Sequence, residues 1–182
     1  MFSGVRYFSV LDLGVSQIYL NEKKLAYIRK WLNTTDLTNF EPLPVCDFGN
    51  GRLTLTDGHS RAFVAYTMGI HKLPVVYDTD DMVSSDIGKK LYINDTIWCE
   101  RFKIYSVCDL KNRIIPDSLY RDLWIARCDK AYNLLTQTTE LQREKMQSMC
   151  HDLYLYGANE DLTVLFFENE SGISFSIPNA VF

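Results

Sequence analysis

Leu53-Thr54-Leu55-Thr56-Asp57-Gly58-His59-Ser60-Arg61-Ala62-Phe63-Val64-Ala65-Tyr66 changes its period halfway along. Residues 53–56 alternate apolar and polar, as a half-buried strand does. From Ala62 to Met68 the chain reads as a short helix, with Gly69 placed to end it. Asp57 to Arg61 form a polar turn between the two. A strand that passes through a glycine turn into a helix is a unit of α/β and α+β folds.

Upstream, Leu43–Phe48 and Arg52–Thr56 flank Gly49-Asn50-Gly51, whose glycines accept positive φ, so the spacing predicts a hairpin. Further back, Asn21 is an N-cap for a helix from Glu22 to Leu32, with Leu20 and Leu25 as a hydrophobic staple. The apolar stripe of that helix is Leu25, Ile28, Trp31 and Leu32, with Lys23, Lys24, Arg29 and Lys30 on the wet side. Tyr7–Leu13 and Leu73–Tyr77 read as two further strands. An α/β (α+β) core is therefore expected at 1–80, in the order strand, helix, hairpin, polar turn, helix, strand.

Beyond residue 81 the pattern turns mainly helical. Met82 to about Glu100 reads as helix in part, Lys103–Val107 as a short strand and Asp109–Arg113 as a helical turn. Pro116 opens a long helix supported by Leu119, Leu123, Ala126, Ala131 and Leu134. Thr139-Glu140-Leu141-Gln142 has capping-box spacing for a further helix ending near Leu153, and Leu162–Phe167 with Gly172–Ile177 reads as a final hairpin. With no Pro/Gly-rich linker in between, the extension at 81–182 is expected to pack on the core.

Composition narrows the class. The chain has 182 residues, 47% of them apolar, which excludes a disordered or collagen-like protein. No apolar run approaches the roughly 20 residues of a membrane span, and Met1–Arg6 lacks a signal-peptide layout, so no membrane partner and a cytoplasmic location are expected. Five cysteines without a C-x-x-C pair fit neither a disulfide framework nor a zinc site. Residues 1–80 carry eight basic and eight acidic groups, so the net charge of −4 arises entirely in the second part. That balance disfavours nucleic acid as a partner without forbidding it, since a local patch would be enough.

The polar turn carries the chemistry. At the start of a helix, unpaired backbone N–H groups and the helix dipole favour an anion, and phosphate is the obvious guest. Gly58 lets the backbone approach closely, His59 and Ser60 can donate, and Arg61 adds a charged fork suited to phosphate. The competing reading is a plain turn, in which Asp57 and Ser60 cap the helix and Arg61 pairs with a surface acid. Asp57 could hold Mg²⁺ beside phosphates or simply form an Asx turn. Glu22 could act as a base or merely be stabilised by the dipole of its helix.

Residues 53–66, followed by Gly69, Ile70 and Leu73-Pro74-Val75, resemble the core of the ParB/sulfiredoxin-type nucleotide-binding superfamily over about residues 7 to 78. Asp57-Gly58-His59-Ser60-Arg61-Ala62-Phe63 is most similar to the ParB-like free-serine kinase branch. The Gly-Glu-Arg-Arg type loop of partition proteins is absent, and Gly58 stands where sulfiredoxin places its cysteine. The resemblance implies a nucleotide-binding protein that takes ATP or ADP with Mg²⁺, a kinase or phosphotransferase acting on a small hydroxyl-bearing metabolite such as free serine. It makes Glu22 and Asp57 catalytic, Asp57 also the metal ligand, Gly58, His59, Ser60 and Arg61 nucleotide-binding, and Trp98 an aromatic wall for the substrate. The Thr-His-Arg type substrate motif of such kinases does not occur after Trp98, so the acceptor stays open. The alternative is a ParB-like regulatory or DNA-associated nucleotide switch without metabolite chemistry.

Overall fold

The computed structural model describes residues 3–137, and the helix expected after Thr139 and the hairpin expected at 162–177 lie outside them. The chain is an α+β protein with a four-stranded mixed sheet. In chain order the elements are β1 (Arg6–Ser9), β2 (Leu20–Asn21), α1 (Glu22–Trp31), β3 (Leu43–Asp47), β4 (Leu53–Leu55), α2 (His59–Thr67) and β5 (Lys72–Tyr77). They continue with α3 (Asp81–Ser84), α4 (Asp86–Arg101), a 3-10 helix (Val107–Asn112), β6 (Ile114–Ile115), α5 (Asp117–Tyr120), a π turn (Arg121–Ile125) and α6 (Ala126–Gln137). The chain divides into two compact units between Asp117 and Ser118.

In the first unit the sheet order is β1-β5-β3-β4, antiparallel at both ends and parallel between β3 and β5. The β3–β4 hairpin forms as its glycines predict: Gly49 and Gly51 take φ of +101° and +76°. Asp47 Oδ1 accepts from both of their N–H groups, at 2.9 and 3.0 Å. Residues 14–16 run beside β4, with Gly14 N donating to Leu53 O at 2.8 Å and Leu55 N to Gly14 O at 3.0 Å. A Cβ on Gly14 would lie 2.7 Å from Thr54 Oγ1, so any larger residue here would force the Thr54 side chain to shift.

Asn21 caps α1 as expected, its side chain accepting from Lys24 N at 3.1 Å. The same side chain donates to Asp117 Oδ1 at 2.7 Å, and β2 pairs in parallel with β6. Leu20, Leu25, Ile28 and Leu32 are buried, each contributing about 2 kcal/mol of hydrophobic stabilisation. Trp31 departs from the expected stripe and is 37% exposed, its ring tilted against Phe40 at 6.5 Å between centroids.

The first unit extends through the helical residues after 81. No strand forms at Lys103–Val107. There α4 ends in a Schellman motif, with Ile104 N donating to Cys99 O at 2.8 Å and Lys103 N to Glu100 O at 2.9 Å. Lys103 takes the left-handed position of that motif, at φ +58°. α2 ends the same way, but with Gly69 at that position. Among the described residues of the second unit, Tyr120, Trp124, Arg127 and Ala131 are buried, whereas Leu119 and Ala126, expected inside, are exposed. The large rings of Tyr120 and Trp124 claim the inward face, and Arg127 stacks its guanidinium over Trp124, 4.7 Å from the ring centroid.

Candidate functional site

Helix α2 begins three residues earlier than its apolar pattern predicts, because Gly58 adopts the left-handed region (φ +78°, ψ +11°) and becomes the N-cap. A Cβ there would lie 2.5 Å from Leu43 Cδ2 and 3.1 Å from Arg61 Nη2, so this position demands glycine for shape as well as for φ. The first turn closes with Ala62 N donating to Gly58 O at 2.9 Å. No side chain caps the helix, so neither Asp57 nor Ser60 serves as the expected cap. Among the described residues the N–H groups of His59, Ser60 and Arg61 meet no acceptor. Three open donors at the positive end of a nine-residue helix are suited to an anion.

His59 is 2% exposed. Its Nε2 accepts from the backbone N–H of Ser16 at 3.0 Å, and Ser16 in turn donates its hydroxyl to Leu55 O at 2.8 Å. A backbone N–H can only donate, so the imidazole proton resides on Nδ1. That Nδ1–H is buried and has no hydrogen-bond partner. Burial pushes the imidazole pKa down to about 4, against a smaller upward pull from Asp57, so the ring is neutral at physiological pH. His59 is thus a neutral donor fixed on the sheet side of the turn, with its donor still unused.

Arg61 lies across the cap. Its Nη1 donates to Glu41 O at 2.8 Å and to Glu41 Oε2 at 3.0 Å, and Nη2 stands 3.7 Å from Asp57 Oδ2. The carboxylates of Glu41 and Asp57 are both 81% exposed, which makes them weak holds on the arginine. Pairing with a surface acid was one of the two sequence readings of Arg61, and it is what forms here. The Nε and Nη2 edge of the fork stays beside Gly58.

The acidic surroundings were not expected from the sequence. The Tyr92 hydroxyl donates to Thr56 O at 3.4 Å, and the ring stacks on Phe48 at 5.2 Å between centroids. Its pKa is pushed up to about 12, chiefly by burial and then by Asp78, Asp95, Asp57 and Asp80. Thr56 Oγ1 also donates to Asp78 Oδ2. Among the described residues no group of three His, Cys, Asp or Glu side chains could hold a metal ion. Asp57, expected as the metal ligand, is a single carboxylate here and faces Arg61.

Two expected site residues are carried by other elements, Glu22 by α1 and Trp98 by α4. Glu22 is exposed in the first turn of α1, and among the described residues no hydrogen bond or ion pair joins it to Asp57–Arg61. Trp98, expected as a substrate wall, is buried on α4, 6.2 Å from Phe102 between ring centroids and 5.4 Å below the Arg101 guanidinium. An indole that large is retained by the core. Ser16, Glu41 and Tyr92 are the contributors that sequence reasoning missed; Glu41 could have been sought as the acid that Arg61 requires, whereas Ser16 and Tyr92 carry no local signal.

No protein-family model matches the sequence, and no curated protein matches it. Among solved structures, the chain is similar to protein Atu1540 from Agrobacterium tumefaciens, at 16% identity and a TM-score of 0.41 over 86% of this chain and 93% of that one. Among the described residues no helix is long and apolar enough to cross a membrane.

Proposed function

We propose that the protein binds the phosphates of ATP or ADP at the start of α2 and transfers a phosphoryl group to a small hydroxyl-bearing metabolite such as free serine. The observation that supports this reading is the uncapped turn, in which the N–H groups of His59, Ser60 and Arg61 lie open beneath a glycine N-cap. In this reading Gly58 to Arg61 cradle the phosphates, and the guanidinium of Arg61 exchanges one of its exposed carboxylates for a phosphate oxygen. The acceptor oxygen bonds to the terminal phosphorus as the bond to the leaving nucleotide breaks, and Glu22 takes the acceptor's proton. Asp57 would hold Mg²⁺ brought by the nucleotide, whose charge would offset the negative charge on the phosphates. The reaction belongs in the cytoplasm, where nucleotide and acceptor are both at hand.

The test is thermal and calorimetric titration of the full chain with ATP and ADP, each with and without Mg²⁺. At a nucleotide concentration 100 times Kd, binding stabilises the fold by about 2.7 kcal/mol. Arg61→Ala is expected to weaken binding at least tenfold, and Glu22→Gln to abolish serine-dependent turnover while leaving binding intact. Absence of stabilisation by either nucleotide overturns the reading, and binding without turnover on any hydroxyl acceptor reduces it to the nucleotide-switch alternative.

A further inference from the structure

Arg61 is held in two separable ways. Its side chain is 15% exposed, and its guanidinium lies 6.0 Å from the centroid of the Phe40 ring. Phe40 is itself buried, packed against Trp31, and tied by its N–H to Leu37 O at 2.9 Å. That anchored residue fixes the backbone of its neighbour Glu41, whose carbonyl accepts from Arg61 Nη1. Packing and a main-chain bond therefore place the arginine. The Glu41 carboxylate is a second hold on the same Nη1, carried at the end of an exposed side chain.

One guanidinium thus faces two carboxylates, Glu41 and Asp57. The local balance is negative, so an anion drawn to the open N–H groups of α2 gains no net attraction from Arg61 until one carboxylate leaves. Glu41 is the one able to leave. Its side chain can rotate into solvent, and the carbonyl bond to Arg61 survives the departure. Asp57 has a shorter side chain, directly precedes the left-handed Gly58, and lies 3.7 Å from Nη2, beyond hydrogen-bond reach.

We propose that the Glu41 carboxylate is a built-in competitor for the anion at α2, holding Arg61 neutralised until a phosphate takes its place. This role rests on phosphate binding at α2, as proposed above, and names the carboxylate that gives way. The experiment is calorimetric titration of the full chain with inorganic pyrophosphate in magnesium-free buffer, for wild type, Glu41→Gln, Glu41→Ala and Asp36→Asn. An exposed ion pair of this kind shifts an equilibrium about 1.5- to 5-fold, and both Glu41 variants are expected to bind pyrophosphate more tightly by that factor. Gln keeps the shape and an acceptor for Nη1 while Ala removes both, so a gain common to the two comes from the charge. Asp36→Asn removes another exposed acid from the same segment and should leave the affinity unchanged. Wild-type binding that either Glu41 variant weakens or fails to improve overturns the competitor and leaves the phosphate reading standing. An equal gain in Asp36→Asn does the same. Absence of binding in wild type and in both Glu41 variants overturns the phosphate reading, and the competitor with it.

Discussion

His59 makes the stability of this protein depend on pH between about 4 and 6.5. The ring is 2% exposed, and its Nε2 is committed as an acceptor to Ser16 N–H, so a proton added there would set two donors face to face. Its pKa falls from the ordinary 6.5 to about 4 in the fold. Between those values the unfolded chain binds a proton that the native ring refuses, so stability is full above pH 6.5 and declines as pH falls towards 4. The slope is about 1.4 kcal/mol per pH unit. From pH 7.5 to 5.5 the loss is about 1.4 kcal/mol, and down to pH 4 it approaches about 3 kcal/mol. Urea denaturation of wild type and His59→Gln at pH 7.5, 6.5, 5.5 and 4.5 measures it, because Gln offers an acceptor at the reach of Nε2 without a titratable ring. The two proteins are expected to converge in stability as the pH drops. Parallel stability profiles would refute a neutral, buried imidazole.

Gly58→Ala places a Cβ 2.5 Å from Leu43 Cδ2 at φ +78°, and urea melts are expected to show a loss of about 1–3 kcal/mol. Lys103→Gly relieves a left-handed lysine in the Schellman turn of α4 and is expected to stabilise the fold by about 0.5–1 kcal/mol, seen as a higher midpoint at an unchanged m-value.

Features governed by neighbours a few residues away were legible in the sequence. The Asn21 cap, the Gly49-Asn50-Gly51 tip and the Gly69 terminus each solve a local backbone problem with a residue suited to it, and all three form where expected. The apolar pattern sets the start of α2 at Ala62 because His59 and Ser60 look like loop residues, whereas the helix begins at His59. The left-handed Gly58 starts the helix at His59, and the bond that fixes the His59 ring comes from Ser16, forty-three positions earlier, a partner no local window contains. Lys103–Val107 looked like a strand by composition, yet a lysine in the left-handed position turns the chain there. At the site, the residue types of the Asp57–Arg61 turn pointed to an anion, but the hold of Glu41 on Arg61 and the acidic ring around Tyr92 arise from long-range packing.

The pairing of β2 with β6 sets an order of events during synthesis. Leu20 and Asn21 emerge early, but their partners Ile114 and Ile115, and the Asp117 carboxylate that receives the Asn21 amide, are made almost a hundred residues later. Every strand of the main sheet is available once Tyr77 has been added, whereas the entry to α1 stays without its neighbour until the ribosome has passed Asp117. A nascent chain stalled before that point would carry a finished sheet and a first helix that can pack on α2 but whose entry strand still lacks its β6 partner.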